Sequence, residues 1–219
     1  MFRVLIVVFI LLGSAVNGVA DAAPKVITWD DLVPKFEPID DPFGKLDPLV
    51  IEDLRRITAA RSDLAKGLIE RESAEYHRIL ILERALKAEG IDVEGLIRAT
   101  GRLTAEIARR NATKVPELDG RLVRIAGYAL PLEQNASGVT EFLLVPYVGA
   151  CIHVPPPPQN QTVYVKLSSP YKLDSLFEAV WVTGLISAEG NTRSLSFVDG
   201  TAPVQTGYTV TGLAIEPYE

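Results

Sequence analysis

Val180-Trp181-Val182-Thr183-Gly184-Leu185-Ile186-Ser187 decides how the C-terminal half folds. Val180, Val182 and Ile186 fall on one face of an extended chain, and Trp181, Thr183 and Leu185 fall on the other. Both faces are apolar enough that the outer one must be covered. Gly184 interrupts the strand, and a glycine inside a strand marks a bulge or a bend. The same small unit recurs as Arg124-Ile125-Ala126-Gly127 and as Thr209-Val210-Thr211-Gly212.

Around these units the chain divides into short runs of strand character bounded by Gly, Pro and Asn. They are Arg121 to Leu132, Val139 to Tyr147, Thr162 to Leu167, Val180 to Ser187, and Tyr208 to Glu216. Small barrels need bend points to curl shut. Five strands with three interior glycines therefore predict a five-stranded Greek-key barrel of the oligonucleotide/oligosaccharide-binding (OB) type over residues 113–219. The segment Tyr171 to Phe177 would connect the third and fourth strands, where such barrels often place a helix.

Residues 49–112 read as helical. Leu49, Ile51, Leu54 and Ile57 start an apolar stripe at helical spacing. Ser73 is placed to cap a second helix striped by Tyr76, Ile79, Leu80 and Leu86, with Gly90 as its stop. Asp92 is placed to cap a third, striped by Leu96, Ile97, Leu103 and Ile107. Arg71, Arg78, Glu83 and Arg84 lie outside the stripes and are expected in water. Residues 23–48 carry five prolines, which forbid a long helix. Trp29, Leu32, Phe36 and Phe43 make this stretch too apolar for a free linker, so it is expected to lie along the body with Trp29 as its anchor. The fold class is α+β, with an N-terminal helical segment packed on the barrel; the helices and the arm are the expected cover for its outer face.

Residues 1–22 have the three parts of a secretory signal peptide: Arg3, the apolar run Val4 to Leu12, and Ala20-Asp21-Ala22 as a small-x-small cleavage site before Ala23. The apolar run is shorter than the ~20 residues that span a bilayer. No later stretch is apolar enough to cross a membrane, and no Cys follows the run to take a lipid. A periplasmic, exported protein is expected. The net charge of −6 disfavours nucleic acid as a partner. Cys151 is the single cysteine, so the fold must rest on its apolar core.

The least ordinary stretch is Cys151-Ile152-His153-Val154-Pro155-Pro156-Pro157-Pro158-Gln159-Asn160-Gln161. Four prolines favour a stiff polyproline II path. In an extended backbone Cys151 and His153 share a side about 6.5 Å apart at Cα. A thiolate and an imidazole so placed can contact zinc or copper. Equally, a protonated His153 can activate the Cys151 thiol. A zinc site needs three or four ligands; Glu141 or Asp199 could add one, and His77 is the only other histidine. Catalysis would need a group such as Asn160 or Gln161 to orient His153. Cys151 as inert packing remains a third reading.

These residues resemble a family of exported bacterial proteins, the domain of unknown function 3299. The likeness rests on Val123-Arg124-Ile125-Ala126-Gly127-Tyr128, Thr140 to Tyr147, Gly149 to His153, Pro155 to Gln161, Val180 to Gly184, and Trp29-Asp30-Asp31-Leu32. It implies an OB-like fold, a cell-envelope location and an association with ABC-transport components for zinc or other metals. No catalytic residues carry over. The expected function is a non-enzymatic periplasmic accessory protein for metal handling, with Cys151 and His153 as metal contacts and the Pro155 to Gln161 run as their scaffold. An envelope partner would complete the coordination. The rivals are an envelope interaction module with an inert Cys151, and a thiol enzyme using Cys151 and His153.

Overall fold

The computed structural model describes residues 23–149, 157–197 and 200–218. It contains three helices, α1 (Pro48–Ala65), α2 (Ala74–Ala88) and α3 (Val93–Ala112), and eight strands: β1 (Lys25–Ile27), β2 (Arg121–Asn135), β3 (Gly138–Val145), β4 (Val163–Tyr171), β5 (Glu178–Ser187), β6 (Thr192–Phe197), β7 (Gly200–Gln205) and β8 (Tyr208–Pro217). Among the described residues no helix is long and apolar enough to cross a membrane.

The strands run β2-β3-β4-β8-β5, and β5 pairs back onto β2 to close a barrel. All barrel pairings are antiparallel except β4 with β8, which is parallel. This is the five-stranded α+β arrangement expected from the alternation. Odd residues of β2 (Val123, Ile125, Ala129) point inward with Phe142 and Leu144 of β3 and Val163, Val165 and Leu167 of β4. Val180, Val182 and Ile186 of β5 and Val210 of β8 complete that core. Gly184 and Gly212 stand opposite each other at a register shift between β5 and β8. A Cβ on Gly184 would lie 2.3 Å from the Thr211 carbonyl oxygen, so the bend tolerates no side chain.

Gly127 works differently from the expected bend. No register shift falls on it; its missing Cβ makes room for Trp29, whose ring carbon would stand 2.8 Å from that atom. The Trp29 indole N–H donates to the Ala126 carbonyl at 2.9 Å. The arm is thereby anchored where expected, and its Lys25–Ile27 forms β1, parallel to Val123–Ile125. Leu32, from the turn after Trp29, is fully buried in the barrel core.

The helices do not cover the barrel. They pack on one another, with Leu54, Ile57, Ala60, Ile79, Leu86 and Val93 forming a separate core. Ser73 and Asp92 cap α2 and α3 as expected, accepting from the amides of Tyr76 and Gly95. Glu83, expected in water, instead receives Arg61 of α1, which also reaches Glu94 of α3. Leu49, expected to open the α1 stripe, is 74% exposed.

The cover comes from an unexpected quarter. Thr192–Phe197 (β6) and Gly200–Gln205 (β7) pair antiparallel as a hairpin. Leu195 and Val204 close over Leu130, Leu143, Val145 and Tyr164 on the outer side of β2, β3 and β4. The Arg193 guanidinium stacks 4.1 Å above the Tyr164 ring. The outer side of β5 is capped in a smaller way: Arg124 lies over Trp181, Tyr218 packs against it, and Leu185 stays exposed. The expected helix in the Tyr171–Phe177 connector is absent, because β4 runs to Tyr171 and the connector is a pair of turns.

Candidate functional site

The segment expected to carry chemistry joins β3 to β4. Its entry is the end of β3, where Val145 pairs with Tyr128. Cys151, His153, Pro155 and Pro156 lie outside the described residues, as does Asp199. The exit is described in full. Pro158 has the extended φ −51°, ψ 150° of a polyproline residue, and Gln159–Gln161 then make one 3-10 turn. The Gln161 amide donates to the Pro158 carbonyl at 2.8 Å, and the Thr162 hydroxyl donates to the same oxygen at 3.2 Å.

Asn160 fixes this turn to the rest of the molecule. It is 2% exposed, and its amide donates to the carbonyls of Arg110 (2.8 Å) and Thr113 (2.9 Å). Those carbonyls belong to the end of α3, where the helix leaves its last acceptors unpaired. Asn160 is thus a C-terminal cap donated from 50 residues further along the chain. Both of its amide protons are used there.

Gln159 donates to the Thr206 carbonyl at 3.3 Å. Thr206 is buried and trades hydrogen bonds with Asn191 across the base of the β6–β7 hairpin. The Gly207 amide donates to the Thr162 carbonyl. One knot therefore joins the end of α3, the exit of the Cys-His segment and the base of the hairpin.

Two other candidate ligands have local partners of their own. Glu141 on β3 faces Lys166 at 3.9 Å. His77 is exposed on α2, with its Nδ1 2.9 Å from the Ser73 carbonyl. Among the described residues no three His, Cys, Asp or Glu side chains come together as a metal group.

Tyr208, which the sequence did not single out, ties the arm to the barrel. Its hydroxyl donates to the Leu32 carbonyl at 2.8 Å and accepts from the Val115 amide at 2.7 Å. Burial pushes its hydroxyl above the usual tyrosine range. Tyr171 is pushed up to about 12, first by burial and then by its bond to Glu178. At the end of α3, hydrogen bonds from Arg109 and then Arg110 hold Glu106 down at about 2. Both guanidinium groups also lie over the Phe36 ring of the arm, at 5.4 and 4.8 Å.

A closed barrel of β2-β3-β4-β8-β5, with β4 parallel to β8, defines an OB-like barrel protein. In such barrels the outer side of the second and third strands and the connection between the fourth and fifth take the ligand. Here that connection is the β6–β7 hairpin, and it fills that side with its own residues. The family described as "Protein of unknown function (DUF3299)" matches residues 29–217, and the chain belongs to it. It is also similar to a DUF3299 family protein from Pseudomonas aeruginosa known from a crystal structure, with 27% identity over 90% of this chain and 98% of that chain and a TM-score of 0.47. No curated protein matches.

Proposed function

We propose that this chain is a non-enzymatic accessory protein of the cell envelope, in which the barrel presents the Cys151–His153 segment to a metal ion and to a partner. The observation that carries this reading is the Asn160 clamp. A buried amide bonded to two carbonyls of α3 holds the segment's exit in one place. A fixed exit gives such a site a firmer support than a free one would. With its usual ligand side filled by the β6–β7 hairpin, the barrel supports such a loop better than it supports an oligonucleotide.

Cys151 and His153 supply two ligands, and groups on the partner supply the rest. Two-ligand binding suits passing zinc or copper(I) onward, because a closed four-ligand site would retain it. An ABC-transport component for metals is the partner class. Export follows from the tripartite leader at residues 1–22, and the mature protein is expected to begin at Ala23.

The test is titration of the reduced protein with zinc and with copper(I) against a chromophoric competitor. Weak binding of one ion is expected, lost in Cys151→Ala and in His153→Ala. Asn160→Ala, which keeps both ligands, should weaken it. Failure of the reduced protein to bind either ion removes the metal reading. Thiol alkylation then separates the rivals. A Cys151 that reacts only after unfolding is packing, and one that reacts rapidly below neutral pH is a pre-formed thiolate.

A further inference from the structure

A further concavity lies on the helical unit. It is an open groove of about 630 Å³ lined by Phe43 of the arm, by Ile51, Leu54, Arg55, Thr58, Ala59 and Ser62 of α1, and by Thr100 of α3. We propose that this groove binds a long-chain carboxylate, with the acyl chain along its floor and the head group on Arg55.

The chemistry of the lining makes the case. Phe43, Ile51, Leu54 and Ala59 are apolar, and the two threonines are polar only in name. Thr58 donates its hydroxyl proton to the Leu54 carbonyl at 2.7 Å, and Thr100 donates to the Leu96 carbonyl at 3.1 Å. Neither proton is left for a ligand. The groove lies within the 300–1,000 Å³ typical of small-molecule sites.

Its charge is one-sided: the lining holds one cation and no carboxylate. Arg55 is 75% exposed, and its contact with Glu52 is a loose 3.4 Å pair one turn away along α1. Exposed pairs of this kind contribute little, so the guanidinium can turn to a head group at small cost. An apolar trough with one loosely paired cation at its edge complements an anionic amphiphile. A neutral lipid would leave the cation unused, and a cationic one would be repelled.

The test is calorimetric titration of the full chain with dodecanoate, dodecanol and dodecylamine below their micelle concentrations. Saturable one-site binding of dodecanoate is expected. Lengthening to tetradecanoate should tighten it by about two- to fourfold per methylene, as burial of apolar surface requires. Arg55→Glu should weaken dodecanoate at least tenfold while leaving dodecanol within twofold. Ala59→Trp, at an exposed position that only the groove senses, should abolish both at an unchanged melting temperature.

Absence of saturable binding overturns the proposal, as does binding that survives Ala59→Trp. Dodecylamine binding as tightly as dodecanoate overturns the role of Arg55. A concentration-dependent mass that Ala59→Trp returns to monomer would assign the groove to a second copy of the chain instead. Each readout is independent of Cys151 and His153.

Discussion

Replacing Tyr208 with Phe keeps the ring in the barrel core and removes one oxygen. That oxygen serves two backbone groups far apart in sequence, the Leu32 carbonyl and the Val115 amide. Leu32 is fully buried, so water cannot replace the lost donor. Val115 is half-buried, so its amide regains part of its solvation. A buried polar group left unpaired costs about 1–3 kcal/mol. With one group fully and one partly exposed to that penalty, the loss should be about 2–4 kcal/mol. For a chain of this size each kcal/mol lowers Tm by about 2–4 °C, which puts the variant roughly 5–15 °C below the parent.

Urea unfolding followed by tryptophan fluorescence measures the loss, with the midpoint moving and the slope unchanged. The pH dependence adds a second check. The neutral hydroxyl is favoured in the fold, so its contribution is complete below pH 10 and is lost as pH rises through the elevated folded value. The gap between parent and variant should therefore narrow above pH 10. A loss below about 0.5 kcal/mol, against the 1–3 expected for an orphaned buried group, would show that the arm does not depend on Tyr208.

Gly127→Ala places a Cβ against the Trp29 and Leu144 side chains and should cost about 1–3 kcal/mol with a red shift in tryptophan emission, both read in one denaturation series. Asn160→Asp turns a donor into a carboxylate facing two carbonyls, and calorimetric melting should show a loss of about 3 kcal/mol. Leu195→Ala should cost about 2–4 kcal/mol, and hydrogen exchange should quicken in β6 and β7 before it does in β5. Tyr171, held up at about 12, favours its protonated form in the fold, so stability should fall between pH 10 and 12 and fall less steeply in Tyr171→Phe.

The barrel strands were legible because β2 to β5 carry inward apolar residues at period two, with Tyr208 and Val210 continuing the pattern in β8. The hairpin was not. Arg193 and Pro203 sit among Ser and Thr, and among the residues whose burial is described Leu195 and Val204 mark the buried side. Such a stretch reads as a loop until the apolar side of β2, β3 and β4 is there to receive it. β1 is three residues long and owes its place to the Trp29 anchor and its pairing with β2. The helical stripes overran at Leu49 because spacing alone cannot tell which turn of a helix meets a neighbour. Of the Pro-rich run, Pro158 has the extended backbone that proline favours, and Gln159–Gln161 turn after it. The role of Asn160 was hidden, since its partners lie 50 and 47 residues upstream and no local pattern announces a borrowed helix cap.

The parallel pairing of β4 with β8 carries a consequence for the order in which the molecule can assemble. The strand that completes the barrel, β8, is made after the other four, and it also supplies the hydroxyl that bonds Leu32 from 176 residues earlier. During synthesis the N-terminal arm can meet β2 early, but the Tyr208 part of its dock is missing until β8 emerges. The helical unit, whose core is its own, can fold well before that moment. A nascent chain would thus hold a formed bundle ahead of an open, edge-exposed sheet, and a truncation that removes β8 from Tyr208 onward would take away both the barrel's closing strand and the hydroxyl that holds Leu32.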